Sequence, residues 1–90
     1  MALSSPLKQS EYSSFGEAVR DLRKHAGLSQ EKLALKSGIH PTWISHIEQG
    51  RDNATRKTVA SIAAGIGVLP SRIESLAEAY TEMAKAKDDD

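Results

Sequence analysis

The stretch of the chain best equipped for chemistry is residues 30–49, QEKLALKSGIHPTWISHIEQ. Its second half carries Thr42, Trp43, Ser45, His46 and Gln49, with no carboxylate before Glu48. A hydroxyl, an imidazole, an indole and a carboxamide exchange hydrogen bonds without a permanent charge. An ordinary solvated helix face carries glutamate and lysine instead. A helix that projects short uncharged polar groups from its N-terminal half suits the major groove of DNA, where each base pair shows its own pattern of donors and acceptors. Trp43 also fits a second reading, as a core residue.

No comparable set points to catalysis. The chain has no cysteine, which removes disulfides, thiolate zinc sites and cysteine nucleophiles together. Its three histidines, His25, His40 and His46, lie at no i, i+4 spacing and form no HExxH motif, and no glycine-rich loop follows a strand. His25 falls in the last turn of a helix, where the dipole favours a cation. The reading is therefore not an enzyme, with no metal and no cofactor.

Ninety residues suffice for one small domain with a thin core and leave no room for a separate effector domain. Apolar residues are 39% and charged residues 27%, so the chain reads as an ordinary globular protein. The zero net charge hides an asymmetry: residues 1–57 hold nine Lys/Arg against six Asp/Glu, and residues 58–90 hold three against six. The basic half contains the polar segment, although two ordinary solvated surfaces would give the same split. The apolar runs are too short to span a bilayer, and the N-terminus has no basic stretch ahead of an apolar one. A soluble cytoplasmic protein with no membrane partner is the expectation.

The elements that must position these residues read as helices, because apolar residues recur at helical spacing and no long stretch alternates at a period of two. Residues 1–12 are serine-rich and predict a flexible arm. Ser14 and Glu17 have capping-box spacing and predict the start of helix one, whose apolar face is Phe15, Ala18, Val19, Leu22 and Ala26. Ser29 predicts the start of helix two and Gly38 its end. His40 at the cap and Pro41 at the first helical position predict helix three. Helix four starts near Thr55, and helix five near Ser71. Residues 13–84 form the domain, and residues 85–90 a frayed acidic tail. The fold class is all-α with five helices.

Within residues 30–49, two short helices are joined by a tight turn at Gly38, where positive φ is accepted. Ala34 is small where the second helix crosses the first, and Leu33, Ile39, Ile44 and Ile47 plug the angle between them. All of these in register form a helix-turn-helix, with its second helix over about 41–49.

On these residues the chain resembles the Xre/Cro-type family of phage lambda repressor-like helix-turn-helix proteins. The most specific parts are Leu28-Ser29-Gln30-Glu31-Lys32-Leu33-Ala34 and the segment from Ser37 to Gly50. In size and in the second segment it also looks like the controller proteins of restriction–modification systems. The resemblance implies a five-helix bundle that acts as a homodimeric transcriptional regulator on double-stranded DNA. It implies that Gln30 bonds a phosphate and buttresses a base-reading side chain. It places His40, Thr42 and His46 where base edges are reached, and Trp43 where a ring packs along the backbone. Ser45, Gln49, Arg51 and Asn53 fall at backbone-contacting positions, and Arg56 and Lys57 add phosphate contacts through charge and helix dipole. Arg23 and Glu48 match a partly buried ion pair. Two departures stand out. Pro41 replaces a long side chain, and Asp52 sits in a loop where a carboxylate would repel phosphate or read a cytosine amine.

One such domain reads too few base pairs for genomic specificity, so a dimer on a palindromic operator is expected. Helix five is the candidate interface, with Ile73 and Leu76 inward and Tyr80 and Met83 toward the partner. A second reading is an antitoxin or adaptor that uses the fold to grip a protein, such as a cognate toxin or another regulator; the acidic tail favours it.

Overall fold

Two hydroxyls and one imidazole mark where the three central helices begin. A computed structural model describes residues 9–52 and 54–88, with backbone alone at 9–12 and 88. These residues form five helices: α1 (Gln9–His25), α2 (Gln30–Ser37), α3 (Pro41–Glu48), α4 (Arg56–Ile66) and α5 (Pro70–Asp88). Ser29 caps α2 by accepting from the Lys32 N–H, and Thr55 caps α4 by accepting from the Thr58 N–H. His40 caps α3: its Nδ1 accepts from the Thr42 N–H at 3.1 Å, and Pro41 takes the first helical position. Gly38 ends α2 at φ 74°, a left-handed conformation that lets the chain turn sharply into α3.

The start of α1 differs from the capping-box reading. The helix begins at Gln9, so Ser14 lies inside it and is buried. Tertiary packing decides this, since Ser13 lies directly against Gly50, just beyond α3. Burial of one helix face outweighs a local cap signal worth about 1 kcal/mol. Residues 9–12 of the expected arm are therefore helical; residues 1–8 lie outside the described residues. At the other end α5 runs on to Asp88, so most of the expected tail is also helix. Residues 82–87 are good helix formers, Glu82 and Lys85 pair at 3.7 Å, and Lys85 and Lys87 suit the negative end of the dipole.

Helix α1 packs against α5 and α3, and α2 against α4 and α3. Val19, Leu33, Ile44, Ile47, Ile62 and Ile73 meet in the centre with no exposed surface. Each contributes about 1.5–3 kcal/mol by leaving water. Ile73 is thus wholly enclosed by its own chain and has no surface to offer a partner. Phe15, Leu76, Ala77 and Tyr80 pack around this centre, half-buried.

The α1–α5 contact carries a polar latch. The Tyr80 hydroxyl donates to Asp21 at 2.5 Å, and this hydrogen bond raises the phenol above the ordinary tyrosine value, with burial adding to the rise. A group whose pKa is raised by folding stabilises the fold below its unfolded value and stops doing so as pH climbs through the folded one. The latch therefore holds below about pH 10 and releases above it. Tyr80→Phe should be less stable than the parent at pH 9, and the difference should shrink by pH 11. Urea melts at the two pH values check this; an unchanging gap would show that the hydrogen bond contributes nothing.

Candidate nucleic-acid interface

The cap at His40 and the buried pair Ile44 and Ile47 fix which side of α3 faces outward. His40, Thr42, Trp43 and Gln49 are exposed, and Ser45 and His46 are half-buried at the rim. Trp43 is 38% exposed, so it stands at the surface rather than in the core. His40, Thr42, Trp43, His46 and Asp52 border one shallow, open depression on this face.

A polar chain runs along the end of α3. Gln49 Nε2 donates to Ser45 Oγ at 2.9 Å, and Arg51 Nη1 donates to Gln49 Oε1 at 3.4 Å. Three of the sequence-predicted residues are thereby brought into one row. Arg56 and Lys57 are exposed in the first turn of α4, which contains no acid. The positive end of a helix dipole disfavours cations, so this placement costs stability unless an anion approaches. Asn53 lies outside the described residues.

Beneath this surface lies a buried charge cluster. Arg23 Nε donates to Glu48 Oε2 at 2.6 Å and Arg23 Nη2 to Glu48 Oε1 at 2.9 Å. Arg23 Nη1 donates to the Leu28 carbonyl at 2.7 Å. The hydrogen bond to Glu48 raises the Arg23 pKa further, against the opposing effect of burial. Gln30 Nε2 donates to Glu48 Oε1 at 3.0 Å, which fixes the amide orientation because a carboxylate demands a donor. One of its two amide hydrogens is used in this way.

Two features of the site escape sequence reading. Gly16 lets α1 lie directly on the end of α3: a Cβ there would stand 2.2 Å from the Ile47 carbonyl oxygen. The only sequence signal is a glycine inside a helix, which costs about 1 kcal/mol and so calls for a packing reason. The other is that His46 Nδ1 faces Asp52 Oδ2 at 3.5 Å, which turns the carboxylate toward α3.

The comparison with known proteins follows the geometry. The helix-turn-helix domain family matches residues 14–76, a span that runs from α1 into α5 and contains the α2–α3 unit. This chain belongs to the helix-turn-helix family of transcriptional regulators. It is similar to the control protein C.BamHI of Bacillus amyloliquefaciens, 40% identical over 57 residues that cover 62% of this chain and 70% of that protein. Among solved structures it resembles the restriction-modification controller protein C.AhdI from Aeromonas hydrophila. There the TM-score is 0.68 at 31% identity, covering 69% of this chain and 94% of that one. It also resembles the clp gene regulator ClgR from Corynebacterium glutamicum, with TM-score 0.84 at 25% identity, covering 93% and 86%. These relatives are named as a control protein, a controller protein and a gene regulator. The five-helix, lambda repressor-like expectation holds.

Proposed function

We propose that this protein binds a palindromic operator as a homodimer, with α3 of each copy in a major groove of double-stranded DNA. The observation that carries this reading is the outward face of α3. It joins Thr42, Trp43 and His46, which bear no permanent charge, to a row of backbone-reaching groups, Ser45, Gln49 and Arg51, while Arg56 and Lys57 stand exposed on the first turn of α4. Thr42, His40 and His46 read base edges, and the others position the helix on phosphates. DNA as the ligand places the protein in the cytoplasm.

The decisive experiment selects bound sites from random duplex DNA and measures affinity over a range of salt. Arg51→Ala should weaken every sequence to a similar degree and lower the salt slope by about 1, because one phosphate contact fewer releases one counterion fewer. Thr42→Ala should instead change which sequence is preferred, at a cost of about 1–3 kcal/mol on the parent operator. No binding to any duplex at low salt would refute the reading and favour the protein-gripping alternative.

The dimer surface lies on the outer edge of α5. Leu69 is 72% exposed and Met83 is 64% exposed. Leu69 lies in the turn just before α5, and on α5 itself Leu76 stands seven residues before Met83, half-buried, with Ala79 beside it. This spacing returns to one side of a helix and suits a second α5 laid alongside. Tyr80, tied to Asp21, contributes at the margin at most. Two copies would set their α3 helices about 34 Å apart, one turn of DNA. Met83→Lys should convert a sedimenting dimer to monomer at micromolar concentration; a parent protein that is already monomeric there would remove the dimer from the proposal.

A further inference from the structure

Asp52 is out of place in a loop meant to approach phosphates, since its charge repels them. Its position on the rim of the α3 depression suggests a different task. The carboxylate is half exposed and its Oδ2 lies 3.5 Å from Nδ1 of His46. That is an electrostatic contact slightly longer than a standard hydrogen bond. An ionised carboxylate only accepts, so it favours the imidazole form whose proton sits on the nearer nitrogen. The two ring nitrogens lie on different edges of the ring. A proton on Nδ1 therefore leaves Nε2 as a bare acceptor, turned away from Asp52. The other titratable group bordering the depression, His40, accepts the Thr42 N–H through Nδ1, so its own proton is directed elsewhere.

We infer that Asp52 is a positioning residue that sets the His46 tautomer, so that His46 presents an acceptor to DNA and selects a base carrying an exocyclic amine. In the major groove those bases are adenine, through N6, and cytosine, through N4; guanine and thymine offer acceptors there and would meet an acceptor with an acceptor. The inference rests on the DNA-binding reading above and adds to it the class of base that one side chain takes. It also replaces direct reading of cytosine by Asp52 itself.

The test runs site selection from random duplex DNA at pH 8 on the parent, His46→Ala and Asp52→Ala. The position whose preference disappears in His46→Ala is the one that His46 reads. Every base pair carries one such amine, on one strand or the other, so the amine itself is removed: purine in place of adenine, or pyrimidin-2-one in place of cytosine, at that position should weaken parent binding, showing a preference for the amine of about fivefold, the scale of one base-edge hydrogen bond. In Asp52→Ala this preference should fall below about twofold, while preferences at the other positions persist. Nitrogen-15 NMR of the free protein supplies a signature that a merely structural role would not move: His46 should carry its proton on Nδ1 in the parent and lose that bias in Asp52→Ala. Unchanged parent binding when the amine at the His46 position is removed, an unchanged preference in Asp52→Ala, no position altered by His46→Ala, or a parent His46 protonated on Nε2 would each overturn the inference and leave DNA binding standing. Failure of every protein to select any sequence would remove the DNA-binding reading, and this inference with it.

Discussion

Gly16→Ala should lower the melting temperature by about 10–20 °C, although alanine is the better helix former. Two effects oppose each other. Alanine gains about 1 kcal/mol over glycine inside a helix. Its Cβ, however, would stand 2.2 Å from the Ile47 carbonyl oxygen, 2.8 Å from the Glu48 carbonyl oxygen and 2.9 Å from the Glu48 carbonyl carbon. All three are backbone atoms, so no side chain can rotate away. Helix α1 must separate from the end of α3, opening the packing around Ala18, Val19 and Ile47, which have no exposed surface. Overpacking of a tight core costs about 1–3 kcal/mol and sometimes more. A backbone clash belongs at the upper end, so sterics win by about 2–3 kcal/mol. In a domain of this size each kcal/mol is worth about 4–8 °C. Thermal melts followed by circular dichroism check the value, with the exposed neighbour Glu17→Ala as a control expected to change little. A Gly16→Ala protein that melts with the parent would show that α1 and α3 do not touch here. Because α3 is the element displaced, DNA affinity should fall even at temperatures where the variant stays folded.

What could be read in the sequence is what local chemistry decides. Ser29, Thr55 and the His40-Pro41 pair mark helix starts because a cap is made by residues two or three positions apart. The α2–α3 turn was legible for the same reason, since Ala34, Gly38 and the apolar plugs sit within twenty residues. Contacts between distant segments were not legible. Ser14 and Glu17 have the spacing of a cap, yet the packing of Ser13 on Gly50 carries the helix past it. Tyr80 resembled a partner-facing residue on an apolar stripe; its bond to Asp21 crosses 59 positions of sequence and draws it toward its own chain. Ile73, on the same stripe, is expected inward from its spacing and is wholly buried. At the candidate interface the residue types were readable and their orientation was not. The side of α3 that His46 occupies could be counted from helical spacing, whereas the turn of the loop that brings Asp52 to it could not.

The arrangement explains why the charge cluster sits where it does. Arg23 comes from α1, Gln30 from the start of α2 and Glu48 from the last turn of α3, so three helices meet on one carboxylate. The core holds the helices together without direction, because apolar contact is tolerant of small slides. Hydrogen bonds of fixed geometry are not. The cluster thus sets the angle at which α3 leaves the scaffold.

Arg23→Met should destabilise the protein by about 3–5 kcal/mol, because Glu48 would remain buried as a charge with Gln30 alone to satisfy it. Glu48→Leu should cost a similar amount by stranding the guanidinium. For a domain whose whole stability is about 0.05–0.15 kcal/mol per residue, either loss is a large fraction of the total. The double variant should be more stable than either single one, since a buried ion pair repays its desolvation only in part and apolar replacements restore packing. It should still fall short of the parent: the Leu28 carbonyl loses its donor, at a cost of about 1–3 kcal/mol, while half-buried Gln30 can turn to water. Arg23→Lys should not rescue, because an ammonium cannot span both carboxylate oxygens and the Leu28 carbonyl as the planar guanidinium does. Urea melts of the four proteins yield the coupling energy directly. Single variants within about 1 kcal/mol of the parent, or additive effects, would mean that the pair contributes no more than a surface ion pair does. DNA binding separates the two roles of the cluster. If it only stabilises the fold, the double variant recovers affinity in step with stability. If it sets the angle of α3, affinity stays low in a double variant that is fully folded, and that is the expected result.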